Sequence, residues 1–184
     1  MVINLRGTSG SGKSTIVRTL MQRYMVRTPN FREGRKQPVS YTCTHPDHKP
    51  LFVVGHYETA CGGGDTINGL DVIYEMVNNA AERGEDVIYE GLILQSDVLR
   101  CIDTAKRFPT IVIGLNTSLD ECIAGIQSRR DARGDTRPLS PKNTIAKMKT
   151  MPHQQRRLKD AGVNFKLLNR ADAMVVVLEA LQWS

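Results

Sequence analysis

The stretch GTSGSGKST at residues 7–15 has the residue types and the spacing that bind a chain of phosphates. It fits the pattern G-x-x-x-x-G-K-[ST], follows an apolar run and opens a helical pattern, which is the context that this motif needs. Bare glycines let successive backbone N–H groups turn towards an anion, and a helix start adds a partial positive charge of about half an electron. The stretch therefore predicts a P-loop that holds a nucleotide.

The residues of this loop divide into backbone donors and two side chains with separate tasks. We expect Lys13 to be catalytic by bridging the β- and γ-phosphates of ATP. We expect the hydroxyl of Ser14 to be a ligand of Mg²⁺. The nucleotide-binding residues predicted in the loop are Gly7, Thr8, Ser9, Gly10, Ser11, Gly12, Lys13, Ser14 and Thr15.

A phosphate-binding loop serves switches, motors and kinases, and other stretches of the chain narrow this choice. A GTPase switch needs an Asn-Lys-x-Asp motif, and the nearest stretch, NTSLD at 116–120, lacks the lysine. A motor or helicase is normally longer than 184 residues. A small kinase remains, in which a lid closes over the phosphates.

An arginine-rich segment at about 129–141 is the predicted lid. Guanidinium groups stabilise the charge that spreads over a phosphoryl group during transfer. We expect Arg129 and Arg130 to be catalytic and Arg133 to bind the nucleotide, with Arg137 as a further candidate. The alternative is an exposed basic loop without a catalytic arginine.

Glu90 ends the apolar stretch DVIYEG at 86–91, which predicts a buried strand with a carboxylate at its end. In P-loop proteins a carboxylate at this place often holds Mg²⁺ through water or orients the acceptor. We expect Glu90 to be catalytic and to contribute to a magnesium site. The alternative is that it caps a neighbouring helix.

The stretch GHYETACGGGDTI at 55–67 joins a predicted strand to a predicted helix. In doubly wound sheets the carboxyl ends of strands line the ligand crevice, and bare glycine backbone allows a substrate to approach closely. We expect Asp65 to orient an acceptor hydroxyl and take its proton, or to cap the helix after it. Tyr57 is predicted to stack on a base and Glu58 to bind its edge. The predicted substrate-binding residues are Tyr57, Glu58, Gly62, Gly63, Gly64 and Asp65.

A metal site in the same region is a further hypothesis. Four side chains of the zinc-binding type, Cys43, His45, His48 and Cys61, occur there, but their spacing matches no common zinc finger. The stretch HPDH is better interpreted as a turn between two strands.

The elements that must position these residues follow from the hydrophobic pattern. Apolar runs alternate with helical patterns, which indicates an α/β fold with a mostly parallel sheet flanked by helices. Strands are predicted at 2–6, 38–43, 50–57, 86–91, 110–116 and 163–169. Helices are predicted at 14–27, 66–83, 119–130, from 141 onwards and at 171–182, with Gly84, Ser118 and Glu121 as capping residues and Pro152 as a kink or restart. We expect a single domain over residues 1–184.

Composition and charge limit the class of protein. No apolar run is long enough to span a bilayer, and four scattered cysteines suit a reducing cytoplasm. The net charge is +6, with ten Lys/Arg against two Asp over 129–159. A second basic group contains Arg32, Arg35 and Lys36. Such segments suit phosphates or a polyanionic partner, although a merely solvated face is the alternative.

The stretches GTSGSGKST, GHYETACGGGDTI, DVIYEGLI and GLNTSLDECIAGIQSRR together resemble phage 5-hydroxymethyluracil DNA kinases of thymine hypermodification. The resemblance runs over nearly the whole chain. It implies a nucleotide-kinase-like P-loop fold and transfer of the γ-phosphate of ATP to the hydroxymethyl oxygen of 5-hydroxymethyluracil in DNA. It assigns phosphate and Mg²⁺ duties to Lys13 and Ser14, and acceptor and metal handling to Asp65 and Glu90, without deciding which of those two is the base.

The resemblance also implies partners and a location. The partner is DNA that contains 5-hydroxymethyluracil, later DNA-modifying enzymes use the product, and the location is the cytoplasm of the host cell if a phage encodes the chain. A base in duplex DNA must be flipped out into a pocket with stacking groups, for which Tyr57 and then Tyr41 are candidates. The residues leave two alternatives open: a kinase of a free nucleotide or small metabolite, and an ATP-binding switch that transfers no phosphate.

Overall fold

The computed structural model describes residues 1–59, 62–91 and 93–183. Its strands are β1 Val2–Arg6, β2 Val26–Asn30, β3 Ser40–His45, β4 His48–Val54, β5 Asp86–Glu90, β6 Thr110–Leu115 and β7 Asn164–Leu168. Its helices are α1 Lys13–Met21, α2 Leu70–Glu82, α3 Leu99–Arg107, α4 Leu119–Asp131, α5 Lys142–Asp160 and α6 Arg170–Ala180. Two single-turn 3-10 helices occupy Gly64–Thr66 and Ile93–Gln95.

The strands form one sheet in the order β2-β3-β4-β5-β1-β6-β7. Over the described residues, strands β4, β5, β1, β6 and β7 pair in parallel, while β2 and β3 pair antiparallel. All five residues of β1 are buried, as expected for a central parallel strand covered on both faces. The predicted α/β fold with a mostly parallel sheet is confirmed.

The core lies on both faces of this sheet because side chains alternate along each strand. Ile3 and Leu5 of β1 belong to the cluster that contains the apolar faces of α1 and α6. Val2 belongs to the opposite cluster, which contains the apolar faces of α2 and α3. The P-loop helix α1 is therefore held against the sheet by apolar side chains, and its first turn lies at the carboxyl end of β1.

The sheet brings together strand ends that are distant in the sequence. Leu5 of β1 is in register with Glu90 of β5, so the carboxylate that ends β5 lies beside the start of the P-loop. The carboxyl ends of parallel strands meet at one edge of a sheet, where α/β proteins bind ligands. Because β4 is parallel to β5, the segment that follows β4 reaches the same edge.

Two predicted helix boundaries are wrong. The helix predicted at 14–27 ends at Met21, and the chain enters strand β2 at Val26, where it pairs with β3. Met25, which lies within the helix predicted at 14–27, is 71% exposed. The helix predicted from residue 66 begins at Leu70, because Ile67 is extended and Gly69 has a φ of +96°. In both places the pairing or turn of the folded chain overrides a pattern of helical period.

Other predictions differ less. The β3–β4 hairpin, the strands β1, β5, β6 and β7, and the capping box of Ser118 and Glu121 are confirmed. Gly84 directly follows the C-cap of α2 with a φ of +80°, as predicted. Helix α5 continues through Pro152 without restarting. Strand β2 and helix α3 had no counterpart in the sequence analysis.

Within the described residues, no helix has both the length and the apolar character that a membrane crossing requires.

Candidate active site

The P-loop between β1 and α1 holds its lysine folded back on the loop. Lys13 is buried, and its Nζ donates to the carbonyl oxygens of Gly7 at 2.7 Å and Thr8 at 3.1 Å. Burial lowers the pKa of Lys13, the negative charges of Glu90 and Asp65 oppose that shift, and the positive charge of Arg129 adds to it. The positive charge of this ammonium group is only partly balanced by negative charges nearby, so phosphate oxygens are favourable new partners for it.

Glu90 and Ser14 meet beside this lysine. The Ser14 hydroxyl donates to Glu90 Oε1 at 2.6 Å, and Glu90 is only 2% exposed. Burial raises the pKa of Glu90, while the Lys13 charge and the Ser14 hydrogen bond oppose that shift. The β1–β5 register positions Glu90, and the first turn of α1 positions Ser14. The result is a pair of oxygen atoms, able to ligate a metal ion, next to a buried cation.

Two hydroxyls of the loop are left without partners. Thr8 Oγ1 and Ser11 Oγ are buried and have no hydrogen-bond partner among the described residues. Buried polar atoms are nearly always satisfied, so these two hydroxyls are candidates to bond to a polar ligand of the loop.

A cavity of about 370 Å³ opens over the P-loop. Its walls come from the loop itself, from α1, from α4 and from the start of α6. The lining residues are Gly10, Gly12, Lys13, Ser14, Thr15, Arg18, Gly125, Ser128, Arg129 and Arg170. Its arginines come from three separate helices, which gives it the charge that a triphosphate requires.

Two of these arginines, Arg18 and Arg170, were missed by the sequence analysis. Arg18 lies four residues after Ser14, so the two share a face of α1, and this spacing was a usable signal. Arg170 is the first residue of α6, where a positive charge opposes the helix dipole. A cation at a position that does not favour the helix was a second signal, because it indicates that Arg170 has a role other than stabilising α6.

The predicted lid arginines occupy different surroundings. Arg129 lines the P-loop cavity, and its Nε donates to the carbonyl oxygen of Gly125 at 3.2 Å. Arg130 Nη1 donates to the carbonyl oxygen of Arg137 at 2.8 Å, and Arg133 Nε donates to the carbonyl oxygen of Arg129 at 3.2 Å. Arg137 forms an ion pair with Asp135 at 2.7 Å. These last three arginines hold the turn after α4, and they do not line the cavity.

The glycine run has partners within the chain itself. A Cβ on Gly63 would lie 2.5 Å from Glu90 Oε1, and one on Gly62 would lie 2.1 Å from the carbonyl oxygen of His56. Gly63 also has a φ of +80°, and its N–H donates to the His56 carbonyl at 2.9 Å. The bare backbone is thus needed for the loop to pack on β5 and on the end of β4.

Asp65 lies next to this packing, in the 3-10 helix Gly64–Thr66. It is exposed, and its charge acts on both Lys13 and Glu90. A Cβ on Gly91 would lie 2.9 Å from Asp65 Oδ1, which places this carboxylate just past the end of β5. Gly69 is the N-cap of α2, so the alternative interpretation of Asp65 as that cap is wrong.

Tyr57 and Glu58 line a second cavity of about 400 Å³, which we call the tyrosine cavity. Tyr57 is buried, its hydroxyl donates to the Val54 carbonyl at 3.2 Å, and its N–H donates to Tyr41 Oη at 3.3 Å. The complete lining is Arg18, Met21, Gln22, Arg27, Pro29, Tyr41, Tyr57 and Glu58.

The zinc hypothesis gains no support. Cys43 is buried in the core, and burial raises the pKa of its thiol to about 12, whereas zinc binds the thiolate. Cys61 lies outside the described residues. Among those described, no group of three or more His, Cys, Asp or Glu side chains is arranged to hold a metal ion.

Comparisons with known proteins cover both the P-loop and the glycine run. A family model described as an AAA domain matches residues 2–152. The 5-hmdU DNA kinase of Pseudomonas phage PaMx11 is 40% identical over 183 residues, which is 98% of this chain and 97% of that protein. The 5-hmdU DNA kinase of Delftia phage PhiW-14 is 27% identical over 178 residues, 88% of this chain and 65% of that protein. The 5-hmdU DNA kinase of Pseudomonas phage M6 is 29% identical over 140 residues, 71% of this chain and 73% of that protein.

Proposed function

The chain belongs to the AAA domain family and to the phage 5-hmdU DNA kinases, and we propose that it transfers the γ-phosphate of ATP to the hydroxymethyl group of 5-hydroxymethyluracil in DNA. The observation that carries the proposal is the meeting of Lys13, Ser14 and Glu90 at the carboxyl ends of β1 and β5. This meeting places a buried cation and two oxygen donors at the mouth of a phosphate-binding loop. The whole chain, residues 1–184, acts in this proposal as one kinase domain.

The P-loop residues 7–15 bind the phosphates of ATP. Backbone N–H groups and the Lys13 ammonium contact the β- and γ-phosphates. Lys13 gives up its hydrogen bonds to the carbonyl oxygens of Gly7 and Thr8 when it binds the phosphates. Arg129, Arg18 and Arg170 add positive charge around the cavity. In this proposal the segment 129–141 closes over the phosphates, with Arg130 and Arg133 changing partners as it does so.

Ser14 and Glu90 fit a magnesium ion. Both offer oxygen, which is the donor that Mg²⁺ prefers, and they already lie 2.6 Å apart. An ion bound there neutralises charge on the phosphates. Burial raises the pKa of Glu90, and a cation bound beside this carboxylate would supply the opposite charge that favours its ionised form.

Asp65 is the candidate that orients the acceptor and takes its proton. It is exposed, whereas Glu90 is buried and bonded to Ser14, so the two carboxylates have separable tasks. The hydroxymethyl oxygen forms a bond to the γ-phosphorus, the bond from that phosphorus to the β,γ-bridging oxygen breaks, and ADP leaves. The hydroxyl proton passes to Asp65 and from there to water.

The test uses γ-labelled ATP and Mg²⁺ with four acceptors. These are DNA containing 5-hydroxymethyluracil, ordinary DNA of the same sequence, free 5-hydroxymethyl-dUMP and dTMP. We expect label on the modified DNA alone, and retention on DNA that weakens steeply with salt, as the basic segments require. Label on a free nucleotide instead would make the chain a nucleotide kinase, and label on none of the four would refute phosphate transfer to these acceptors.

The variant Asp65→Asn tests whether Asp65, and not Glu90, takes the proton of the acceptor. We expect kcat for the modified DNA to fall by about 10²–10⁴-fold, because the acceptor loses its base, while KM for ATP changes little. Steady-state kinetics measure both parameters. An unchanged kcat with a lowered Tm would show that Asp65 is structural instead.

A further inference from the structure

The tyrosine cavity is built like a site for a planar aromatic ring. Its volume of about 400 Å³ lies in the range, roughly 300–1,000 Å³, of pockets that bind small organic ligands. Met21, Tyr41 and Tyr57 are buried and form its apolar wall. Gln22 and Glu58 are exposed and place an amide and a carboxylate at its rim. An apolar body with a polar rim suits a ring whose edge carries hydrogen-bonding groups.

This cavity and the P-loop cavity have Arg18 in common as a lining residue. Its Nε donates to the Tyr57 carbonyl at 3.0 Å, and its guanidinium carbon lies 5.9 Å from the centre of the Tyr57 ring. Arg18 is therefore held against Tyr57 at a position that borders both cavities.

Both tyrosines of the wall stay neutral, so their rings act as apolar surface. Burial raises the pKa of Tyr57 well above its usual value, and burial also raises the pKa of Tyr41. The Tyr57 hydroxyl is already engaged by Val54. The remaining polar side chains of the lining include Glu58, whose carboxylate already interacts with the Tyr41 hydroxyl and has further acceptor capacity, and Gln22, which offers both a donor and an acceptor.

We propose that the tyrosine cavity holds the pyrimidine ring of the acceptor after that base has left the DNA duplex. The Watson–Crick edge of the ring faces Glu58 and Gln22, and its hydroxymethyl arm passes Arg18 towards the P-loop cavity. This proposal rests on the proposed function. A base extruded from a duplex needs such a pocket, because stacking and edge contacts there replace those it has lost.

The test fills the cavity and compares the result with a matched change outside it. Gln22→Trp adds bulk at the cavity, directly after α1, whereas Thr19→Trp adds a Trp at an exposed position of α1 that lines neither cavity. We expect Gln22→Trp to lower kcat/KM for 5-hydroxymethyluracil DNA at least about tenfold, while Thr19→Trp resembles the wild type. The fluorescence of 2-aminopurine next to the modified base reports extrusion, and it should rise with Thr19→Trp but not with Gln22→Trp.

The outcomes of this test are separable from those of the proposed function. If the wild type labels modified DNA and Gln22→Trp does so at the same rate, the cavity assignment is wrong while the kinase activity stands. If the wild type labels only 5-hydroxymethyl-dUMP, a loss with that acceptor in Gln22→Trp alone supports the cavity as its ring site. If the wild type labels neither, both proposals are overturned. Circular dichroism verifies that each variant is folded.

A second observation concerns the loop after β2, at the same edge of the sheet. Phe31 is 57% exposed, and Arg32, Arg35 and Lys36 follow within five residues. Arg35 Nη2 donates to the carbonyl oxygen of Thr66 at 2.7 Å, which ties this loop to the 3-10 helix that carries Asp65. An exposed aromatic ring among cations is thus held beside the candidate acceptor site.

We infer that this loop contacts duplex DNA and that the Phe31 ring enters the base stack at the place that the extruded base leaves. Proteins that distort duplexes commonly insert an apolar side chain between bases, and basic neighbours bind the flanking phosphates. Arg32 and Lys36 are exposed and available for those phosphates, whereas Arg35 anchors the loop.

Comparing duplex with single-stranded substrates tests this inference. We expect Phe31→Ala to lower kcat/KM for a duplex containing 5-hydroxymethyluracil by about tenfold or more, since the vacated stack is no longer filled. The loss with the single strand of the same sequence should be much smaller. Val175→Ala, at a 53% exposed apolar position on α6, is the control. Equal losses on both substrates, or no loss on the duplex, would overturn the inference.

Discussion

The P-loop and the glycine run at 62–64 are both rich in glycine, but their glycines serve different purposes. In the P-loop, Gly10 has a φ of +81°, and a Cβ there would lie 2.0 Å from the carbonyl oxygen of Cys122 in α4. In the glycine run, Gly63 has a similar φ of +80°, but the atom it would strike is the carboxylate oxygen of Glu90. Gly10 makes room for the backbone of α4, which lines the P-loop cavity, and Gly63 makes room for a functional side chain.

This difference shows how glycine supports a site indirectly. A Cβ on Gly63 would lie 2.5 Å from Glu90 Oε1, the same oxygen that accepts from the Ser14 hydroxyl at 2.6 Å. The position of the carboxylate therefore depends on a loop that contributes no side chain to it. The P-loop, in contrast, acts on its proposed ligand through its own backbone and through Lys13.

Lys13→Ala gives the largest expected effect and tests the P-loop side of the comparison. We expect label transfer to fall by about 10³-fold or more, since the charge aimed at the transferred phosphate is lost. The fold should persist, because burial already disfavours the charged ammonium. Labelled transfer and Tm are the two measurements. Wild-type activity in the folded variant would contradict the role proposed for Lys13.

Gly63→Ala tests the glycine run, with Gly84→Ala as its matched control. Both residues have a φ of +80°, where a side chain is strained by about 1–2 kcal/mol, and the ψ of −165° at Gly63 lies in a region that is essentially confined to glycine. Nothing lies within 4 Å of a Cβ on Gly84, whereas one on Gly63 strikes Glu90. We expect Gly63→Ala to cost about 1–3 kcal/mol more in the free energy of unfolding and to reduce activity as well.

Chemical denaturation measures that difference directly. Equal free energies of unfolding for the two variants would mean that neither the ψ of Gly63 nor its close approach to Glu90 destabilises the variant. Equal activities would then remove the indirect role that we assign to the glycine run.

Arg129→Ala and Arg130→Ala test which arginines of the 129–141 segment act with the P-loop. Arg129 lines the P-loop cavity, and Arg130 is bonded to the Arg137 carbonyl. We expect Arg129→Ala to lower kcat by about tenfold or more and Arg130→Ala to have a smaller effect. Steady-state kinetics on the modified DNA decide between them. The reverse order would show that closure of the segment exchanges the two side chains.

Glu90→Gln gives the smallest expected effect on stability, and that effect is favourable. Because burial raises the pKa of Glu90 in the folded state, its ionisation destabilises the fold. Stability is thus highest below the ordinary glutamate pKa of about 4.3 and falls as pH rises through the raised pKa. Glutamine does not ionise, so the variant does not lose stability as pH rises. We therefore expect its Tm at pH 8 to be about 2–4 °C higher than that of the wild type, while its activity falls strongly.

The measurement is Tm for both proteins at pH 5 and pH 8. A Tm for Glu90→Gln that is lower than that of the wild type at both values would show that the Ser14–Glu90 bond outweighs the cost of burial.

Those parts of the fold that depend on local pattern were predictable. The strands β1, β5 and β6 are short apolar runs, and the capping box of Ser118 and Glu121 is a four-residue signal. Strand β2 was not predictable, because its residues are largely exposed and only its pairing with β3 makes it a strand. Helix α3 was likewise missed, since only two of its residues, Cys101 and Thr104, are fully buried.

The residues of the candidate site also fall into those that local sequence pattern predicts and those that only the tertiary structure brings together. By itself the sequence determined the P-loop and the carboxylate at the end of β5, because glycine spacing, the helix start and an apolar strand act over a few residues. Only the tertiary structure decided that Arg170 shares a cavity with Lys13, and that the glycine run packs on Glu90. Those contacts join residues far apart in the chain, and the sheet order, which brings β1 between β5 and β6, sets them.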